Sequence, residues 1–337
     1  MEDKKYVLIT GVAGLIGGRM ADWIIEHHPE YTVVGIDSLF GGYMENVNEH
    51  VIFYKRDLAT DDIRDIFDQY HFDYVFHFAA YAAEGLSPFM RKFNYSNNVL
   101  STVSIINECI SHDIKRLVYT SSMSVYGWGT NPNVRFHEDD QPMPIDPYAI
   151  SKYACEMDIK VAGEQHGLDW CIIRPHNVYG IKQNIWDKYR NVLGIWMYQV
   201  LQGKPISVYG DGEQTRAFSY IDDCLECFWN AAVSEKASKQ IINVGGMNGY
   251  TINEAAHIVC DITNTPYDRI EHWEPRHEVK WCVPTFEKSV ELLGYKETTT
   301  LEEGLRQMWE WAKTQPNRRQ YKWENYEITK GLYSYWK

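Results

Sequence analysis

Tyr6-Val-Leu-Ile-Thr-Gly11-Val-Ala-Gly14-Leu-Ile-Gly17 decides the fold of this chain. An apolar run over residues 6–10 ends directly in three spaced glycines, and residues 16–28 continue with helical periodicity. The order is strand, glycine turn, helix. Glycines let the backbone turn tightly and approach a pyrophosphate, and the helix N-terminus behind them offers unpaired amides to the anion. The spacing is GxxGxxG, and a glycine triplet alone also suits a plain structural turn. Two features raise it above that. The motif lies between strand and helix, and Asp37 closes the next strand (32–36) twenty residues after Gly17. A carboxylate there binds both ribose hydroxyls and repels a 2′-phosphate, which favours NAD over NADP.

Outward from that turn, strands and helices alternate. Strands are expected at 51–54, 74–78, 116–120 and 170–174, with helices at 63–70, 96–111 and 151–166. Such alternation predicts an α/β protein with a Rossmann-type, doubly wound parallel sheet. Beyond residue 180 the pattern loosens into strands near 206–208 and 241–244 and helices near 222–232 and 252–261. The expected organisation is a dinucleotide-binding domain over 1–180 with later chain returns, and a smaller mixed α/β substrate domain over 181–312. A tail over 313–337 carries Tyr321, Trp323, Tyr326, Tyr333, Tyr335 and Trp336. Such aromatic density needs a surface to cover, on its own protomer or on a partner.

Composition narrows the class. Of 337 residues, 45% are hydrophobic and 23% charged, as in ordinary globular proteins. A net charge of −13 argues against a nucleic-acid binder, yet a few local arginines suffice for a phosphorylated substrate. No apolar run reaches the ~18 residues of a membrane span. The start, Met1 to Lys5, does not read as a signal peptide, and seven scattered cysteines suit reduced cytoplasmic thiols. Cys224 and Cys227 form a CxxC without a second pair, so no metal site is expected.

The chemistry centres on Ser121-Ser122 and on Tyr148 with Lys152. Four residues apart on a helix, phenol and ammonium share one face. Opposite charges about 4 Å apart at an effective dielectric of ~20 interact by roughly 4 kcal/mol, enough to draw a tyrosine from ~10 toward ~7. Such a tyrosine is a general base for a hydroxyl group, with Ser122 as second partner of the same oxygen. The same spacing recurs at Tyr326/Lys330 and Tyr333/Lys337, so the surroundings must single out the first pair.

They do so in series. The glycine turn, Asp37, Asp57-Leu58, His77-Phe-Ala-Ala80, Asn97-Asn98-Val99, Ser121-Ser122, Tyr148-x-x-x-Lys152 and Arg174-Pro-His-Asn-Val-Tyr-Gly180 follow in order. In that order the chain resembles the extended short-chain dehydrogenase/reductases, in their nucleotide-sugar epimerase/dehydratase branch, up to about residue 312. The resemblance implies NAD contacts from Gly11, Gly14, Leu15, Ile16, Gly17, Asp37, Asp57, Leu58, Ala79, Ala80, Tyr81, Asn98, Ser121, Tyr148, Lys152, Pro175 and His176. It implies catalysis by Ser122, Tyr148 and Lys152. It implies substrate contacts from Ser122, Asn177, Asn191, Tyr209, Gln214, Arg216, Arg276 and Cys282. Arg216 and Arg276 would hold the diphosphate through guanidinium forks.

The run Ser122-Met-Ser-Val-Tyr-Gly127 carries no acid, where dehydratases of this family carry one. It therefore resembles a 4-epimerase acting on a UDP-hexose, with other nucleotide-sugar enzymes and a non-enzymatic NAD-binding regulator as alternatives. Cys282 falls where a small residue would admit an N-acetyl group. Glu84 would face the sugar or solvent, and His176 would pack near the nicotinamide. The helices 96–111 and 151–166 resemble a four-helix homodimer interface. Neither a nucleic acid nor a membrane is an expected partner.

Overall fold

The computed structural model describes residues 4–128 and 134–337. Met1, Glu2 and Asp3, included in the reading of the chain start, lie outside that range. Seven parallel strands form the central sheet. β1 (Lys5–Thr10) lies between β2 (Tyr31–Asp37) and β4 (Phe72–His77); β3 (Ile52–Lys55) forms one edge. On the other side β4 is followed by β5 (Arg116–Thr120), β6 (Trp170–Pro175) and the strand Gln240–Val244. All the pairings are parallel, and the inner strands are buried on both faces and read as near-continuous apolar runs, while the edge strand β3 is only partly buried.

Each face is covered by its own core. On one side α1 (Leu15–His27) and the helix Ile221–Val233 bury Met20, Ile24, Leu225 and Phe228 against Val7, Ile9, Val118 and Ile173. On the other, α2 (Arg64–Gln69), α4 (Ser101–Ser111) and α5 (Pro147–His166) bury Phe67, Ile105 and Ile159 against Leu8, Val34, Val75 and Leu117. The helix expected at 96–111 begins earlier. α3 (Arg91–Tyr95) runs through a π turn at Ser96–Leu100 into α4. The helix expected at 151–166 also begins earlier, at Pro147, capped by the Asp146 carboxylate on the Ala149 amide at 2.9 Å.

Residues 221–244 return to the central sheet. The rest of the second half packs around the helices Val192–Leu201, Ile252–Thr263 and Leu301–Thr314, with short strands such as Ile206–Tyr209 and Thr215–Ala217. The strand order reverses at β1, whose neighbours β2 and β4 come from opposite wings of the sheet. A crevice opens outside the carboxyl ends at such a point, and the candidate site lies there.

Candidate active site

A long cavity runs from the glycine turn across the carboxyl ends of the strands into the second half of the chain. Its first wall is the turn itself. Gly11 has φ +71, and a Cβ there would stand 2.9 Å from the Ala79 amide nitrogen; a Cβ on Gly17 would stand 2.3 Å from the Gly11 carbonyl oxygen. The turn therefore packs flush on β1 and β4. Gly14 precedes α1 as its N-cap residue, with no side-chain cap and no acid in the first turn, so the leading amides are left for an anion. Asp37 accepts the Ala13 amide at 3.0 Å and the Leu39 amide at 2.7 Å. Burial raises its carboxyl, and those amide bonds with nearby Arg190 oppose the shift. Asp57, Leu58, Ala79, Ala80 and Tyr81 continue the wall.

Two residues expected at the cofactor stand one layer back. Asn98 is buried and does not line the cavity; its Oδ1 accepts the Tyr81 amide at 2.9 Å and so fixes the lining loop from behind. His176 is fully buried, with its carbonyl held by the Ser219 hydroxyl, and burial lowers its imidazole to about 3. Pro175 and Asn177 on either side of it do reach the cavity.

Ser122, Tyr148 and Lys152 converge in the middle of the cavity. Ser122 follows β5 and caps the turn Met123–Tyr126, accepting the Ser124 amide at 3.1 Å. Tyr148 sits in the first turn of α5, its amide bonded to Ser87 Oγ at 3.1 Å. The electrostatics differ from the expectation. Lys152 donates to the Thr120 carbonyl at 2.7 Å, and its nitrogen lies 6.0 Å from the Tyr148 ring centre. Burial, and then the negative charge of Glu84, raise the Tyr148 phenol above its ordinary value, while Ser122 opposes them. Burial also lowers Lys152 to about 8. Desolvation of the buried phenol therefore opposes the expected shift, and the ammonium is directed at a carbonyl rather than at the phenol oxygen. The other tyrosine–lysine pairs lie on chain without α-helix, so their spacing gives no shared face.

Behind the trio stands an ion pair that the sequence reading passed over. Glu156, one turn beyond Lys152, takes a two-pronged contact from Arg174 at 2.9 and 2.6 Å, and the Ser121 hydroxyl donates to the same carboxylate. All three are buried. They lock α5 to the ends of β5 and β6 and so fix where Lys152 points. In the sequence Arg174 stands out only as the start of the motif that runs from the end of β6 to Gly180, and Glu156 only as four residues beyond Lys152.

At the far end, Arg216 bonds Glu278 at 3.0 Å, and Gln214 donates to Glu278 at 3.2 Å and to the Tyr209 carbonyl at 2.8 Å. Arg276 has a different setting. Its guanidinium lies 3.5 Å from the Tyr209 ring centre, and its buried Nη2 has no hydrogen-bond partner among the described residues. An unpartnered buried cation donor calls for an anion. Asn191 lines the cavity while capping the helix Val192–Leu201. Cys282 lines it too, its thiol raised to about 12 by burial.

Two further lining groups, Arg190 and Asp146, were not expected, and Glu84 takes the sugar-facing place that was one of its two expected settings. Arg190 pairs with Asp187 at 3.2 Å, lies 4.3 Å from the Tyr81 ring centre, and favours the ionised forms of both Asp37 and Tyr148. Its position beside Asn191 was the only hint. Asp146 and Glu84 bring carboxylates near Tyr148. Glu84 is exposed to the open cavity, yet desolvation by its walls, with Asp146 and Glu278, raises its carboxyl to about 7 against the pull of Arg216.

A model of the NAD dependent epimerase/dehydratase family matches residues 7–245. The chain belongs to that family. It is an NAD-dependent enzyme of the nucleotide-sugar epimerase/dehydratase kind. The family member is similar to the solved structure of UDP-glucose 4-epimerase from Thermotoga maritima with UDP-glucose: 29% identity, 91% of this chain and 98% of that one, TM-score 0.85. It is similar to UDP-N-acetylglucosamine 4-epimerase from Methanobrevibacter ruminantium M1, solved with UDP-N-acetylmuramic acid: 31% identity, 92% and 98% coverage, TM-score 0.82. A third likeness is to UDP-glucuronic acid 4-epimerase from Bacillus cereus, solved with UDP-glucuronic acid and NAD: 26% identity, 91% and 99% coverage, TM-score 0.83. The cavity fits NAD: an uncapped helix N-terminus lies where a pyrophosphate would, and the Asp37 carboxylate closes the next strand. Among the described residues no helix is long and apolar enough to cross a membrane, and no cluster of ligating side chains would hold a metal ion.

Proposed function

We propose that this epimerase-family enzyme inverts carbon 4 of a UDP-hexose, glucose and galactose first, through a transient 4-keto sugar. The observation that carries the reading is the serine–tyrosine–lysine trio with no acid in the run from Ser122 to Gly127. Tyr148 takes the proton of the sugar 4-hydroxyl, Ser122 holds that oxygen, and Lys152 steadies the phenolate from the same face of α5. NAD, when bound, accepts the hydride from carbon 4 and gives it back, and its cationic ring adds to Lys152 in favouring the phenolate. Arg216 and Arg276 anchor the diphosphate. A hexose held only through its nucleotide is free to turn over between the two transfers. Cys282 is small, which leaves room for an N-acetyl group, so N-acetylated hexoses fit the same reading.

Glu84 favours a second reading. A carboxyl near neutrality beside Tyr148 is an acid/base group that the run after Ser122 lacks. In a 4,6-dehydratase it would protonate the leaving 6-hydroxyl. Incubation with UDP-, GDP- and dTDP-hexoses, followed by NMR of the products, separates the two. A 4-epimeric UDP-sugar pair at equilibrium with no net reduced cofactor supports the first. A stable 4-keto-6-deoxy sugar overturns it in favour of the second. For the assembly, we propose a homodimer through α5 and the π turn that leads into α4, because Ile150, Met157 and Val161 on α5 and Leu100 in that turn leave apolar surface exposed.

A further inference from the structure

The aromatic tail lies over this site on its own protomer. Its course begins where the Tyr321 amide bonds the Trp186 carbonyl at 2.7 Å. Trp323 then packs on Phe93 at 4.7 Å and on Phe40 at 5.7 Å. Glu327 accepts the Lys92 and Phe93 amides at 2.8 and 2.9 Å, capping α3, which has no side-chain cap from its own N-cap residue. Trp336 is 1% exposed, beside Phe89, Tyr189 and Gly85. The tail therefore covers the segment that carries Tyr81, Gly85 and Phe89, with Trp323 at Tyr81 and Trp336 at Gly85 and Phe89.

Its end reaches the other wall of the cavity. Tyr333 OH accepts the His277 amide at 3.0 Å, and Ser334 donates to Glu274 at 3.0 Å. Tyr335 OH accepts Arg276 Nε at 3.2 Å. The Arg276 guanidinium lies 3.5 Å from the Tyr209 ring centre, 5.6 Å from that of Tyr335 and 5.2 Å from that of Trp336. Aromatic faces hold such a cation without neutralising it, and Nη2 is left unpartnered. Arg216, in contrast, is paired with Glu278. The three solved neighbours are matched over 98–99% of their length but over only 91–92% of this chain. A short part of this chain thus has no counterpart in them.

We propose that residues 321–337 are a strap built into the substrate site, and that Tyr335 and Trp336 are positioning residues that aim Arg276 at the diphosphate. The proposal rests on the nucleotide-sugar reading above, through the role of Arg276. Calorimetric titration of the full-length protein with UDP, and separately with uridine, tests it. Arg276→Gln should weaken UDP about tenfold or more, and Tyr335→Ala severalfold, with uridine unchanged in both. Tyr335→Phe, which keeps the ring, should recover part of the loss. Tyr335→Ala should add little in the Arg276→Gln background. Ile328→Ala, at an exposed strap residue away from Arg276, should leave UDP binding as it was. If Tyr335→Ala binds UDP like the parent while Arg276→Gln does not, the strap has no positioning role. If uridine weakens in parallel with UDP, the effect is general disruption and the proposal fails. If Arg276→Gln itself leaves UDP binding untouched, the phosphate assignment falls, and the strap's role with it.

Discussion

Burial and the negative charge of Glu84 hold the Tyr148 phenol above its ordinary value, and that sets what it needs. Under the proposed reading, positive charge joining Lys152 at the site is what favours the phenolate against burial and Glu84. Tyr148→Phe should retain bound NAD, read by its release on denaturation, while turnover falls at least about a thousandfold. Activity near that of the parent would remove Tyr148 from the chemistry. Glu84 makes a prediction of its own. Its carboxyl is raised to about 7 from an ordinary 4.5. The folded state thus binds its proton more tightly than the unfolded chain, and this contribution is complete below about 4.5 and lost as pH rises through 7. Glu84→Gln should therefore stabilise the protein at pH 8, by about 1 kcal/mol once exposure to cavity water is allowed for, and do so little near pH 4. Thermal melts at the two pH values check this, and an equal shift at both would contradict it.

α5 is the element on which the site depends. Pro147 and Asp146 start it, Tyr148 and Lys152 occupy its first turns, and Glu156 anchors it to β5 and β6. Glu156→Gln leaves Arg174 buried without its counter-charge, which should cost about 3–5 kcal/mol in a denaturant titration. A loss within experimental error would mean that the pair does not hold the helix. How far the sequence speaks can be judged at this element. The i, i+4 spacing and the strand–turn–helix beginning of the chain are local patterns, so the parallel sheet and the placement of the trio were legible. The orientation of the ammonium was not. It is decided by the Thr120 carbonyl, from a strand distant in sequence, and by burial. Asn98 and His176 likewise fall within motif segments, but tertiary packing turns them into a layer behind the wall. Arg190 and Asp146 reach the cavity from loops with no periodicity to announce them, whereas Glu84 was flagged only by its place after the Ala79-Ala80-Tyr81 turn.

At the scale of the molecule, the sheet supplies the cofactor end, the second half supplies the arginines, and the strap ties the two walls together. The second half could be read only loosely, because its short strands pair across long separations, such as Thr215–Ala217 with Gly249–Thr251. The tail could be read as needing cover, but not as covering Arg276. The exposed Met157 and Val161 on α5 bear on assembly. The double substitution Met157→Glu, Val161→Glu should convert a dimer to monomer in sedimentation velocity, and an unchanged species would place any interface elsewhere. The central claim is hydride removal and return at one carbon, and UDP-glucose deuterated at carbon 4 tests it most directly. NMR of the products should show UDP-galactose with the deuterium still on carbon 4. Deuterium found at carbon 6 of a 4-keto-6-deoxy sugar would contradict the account.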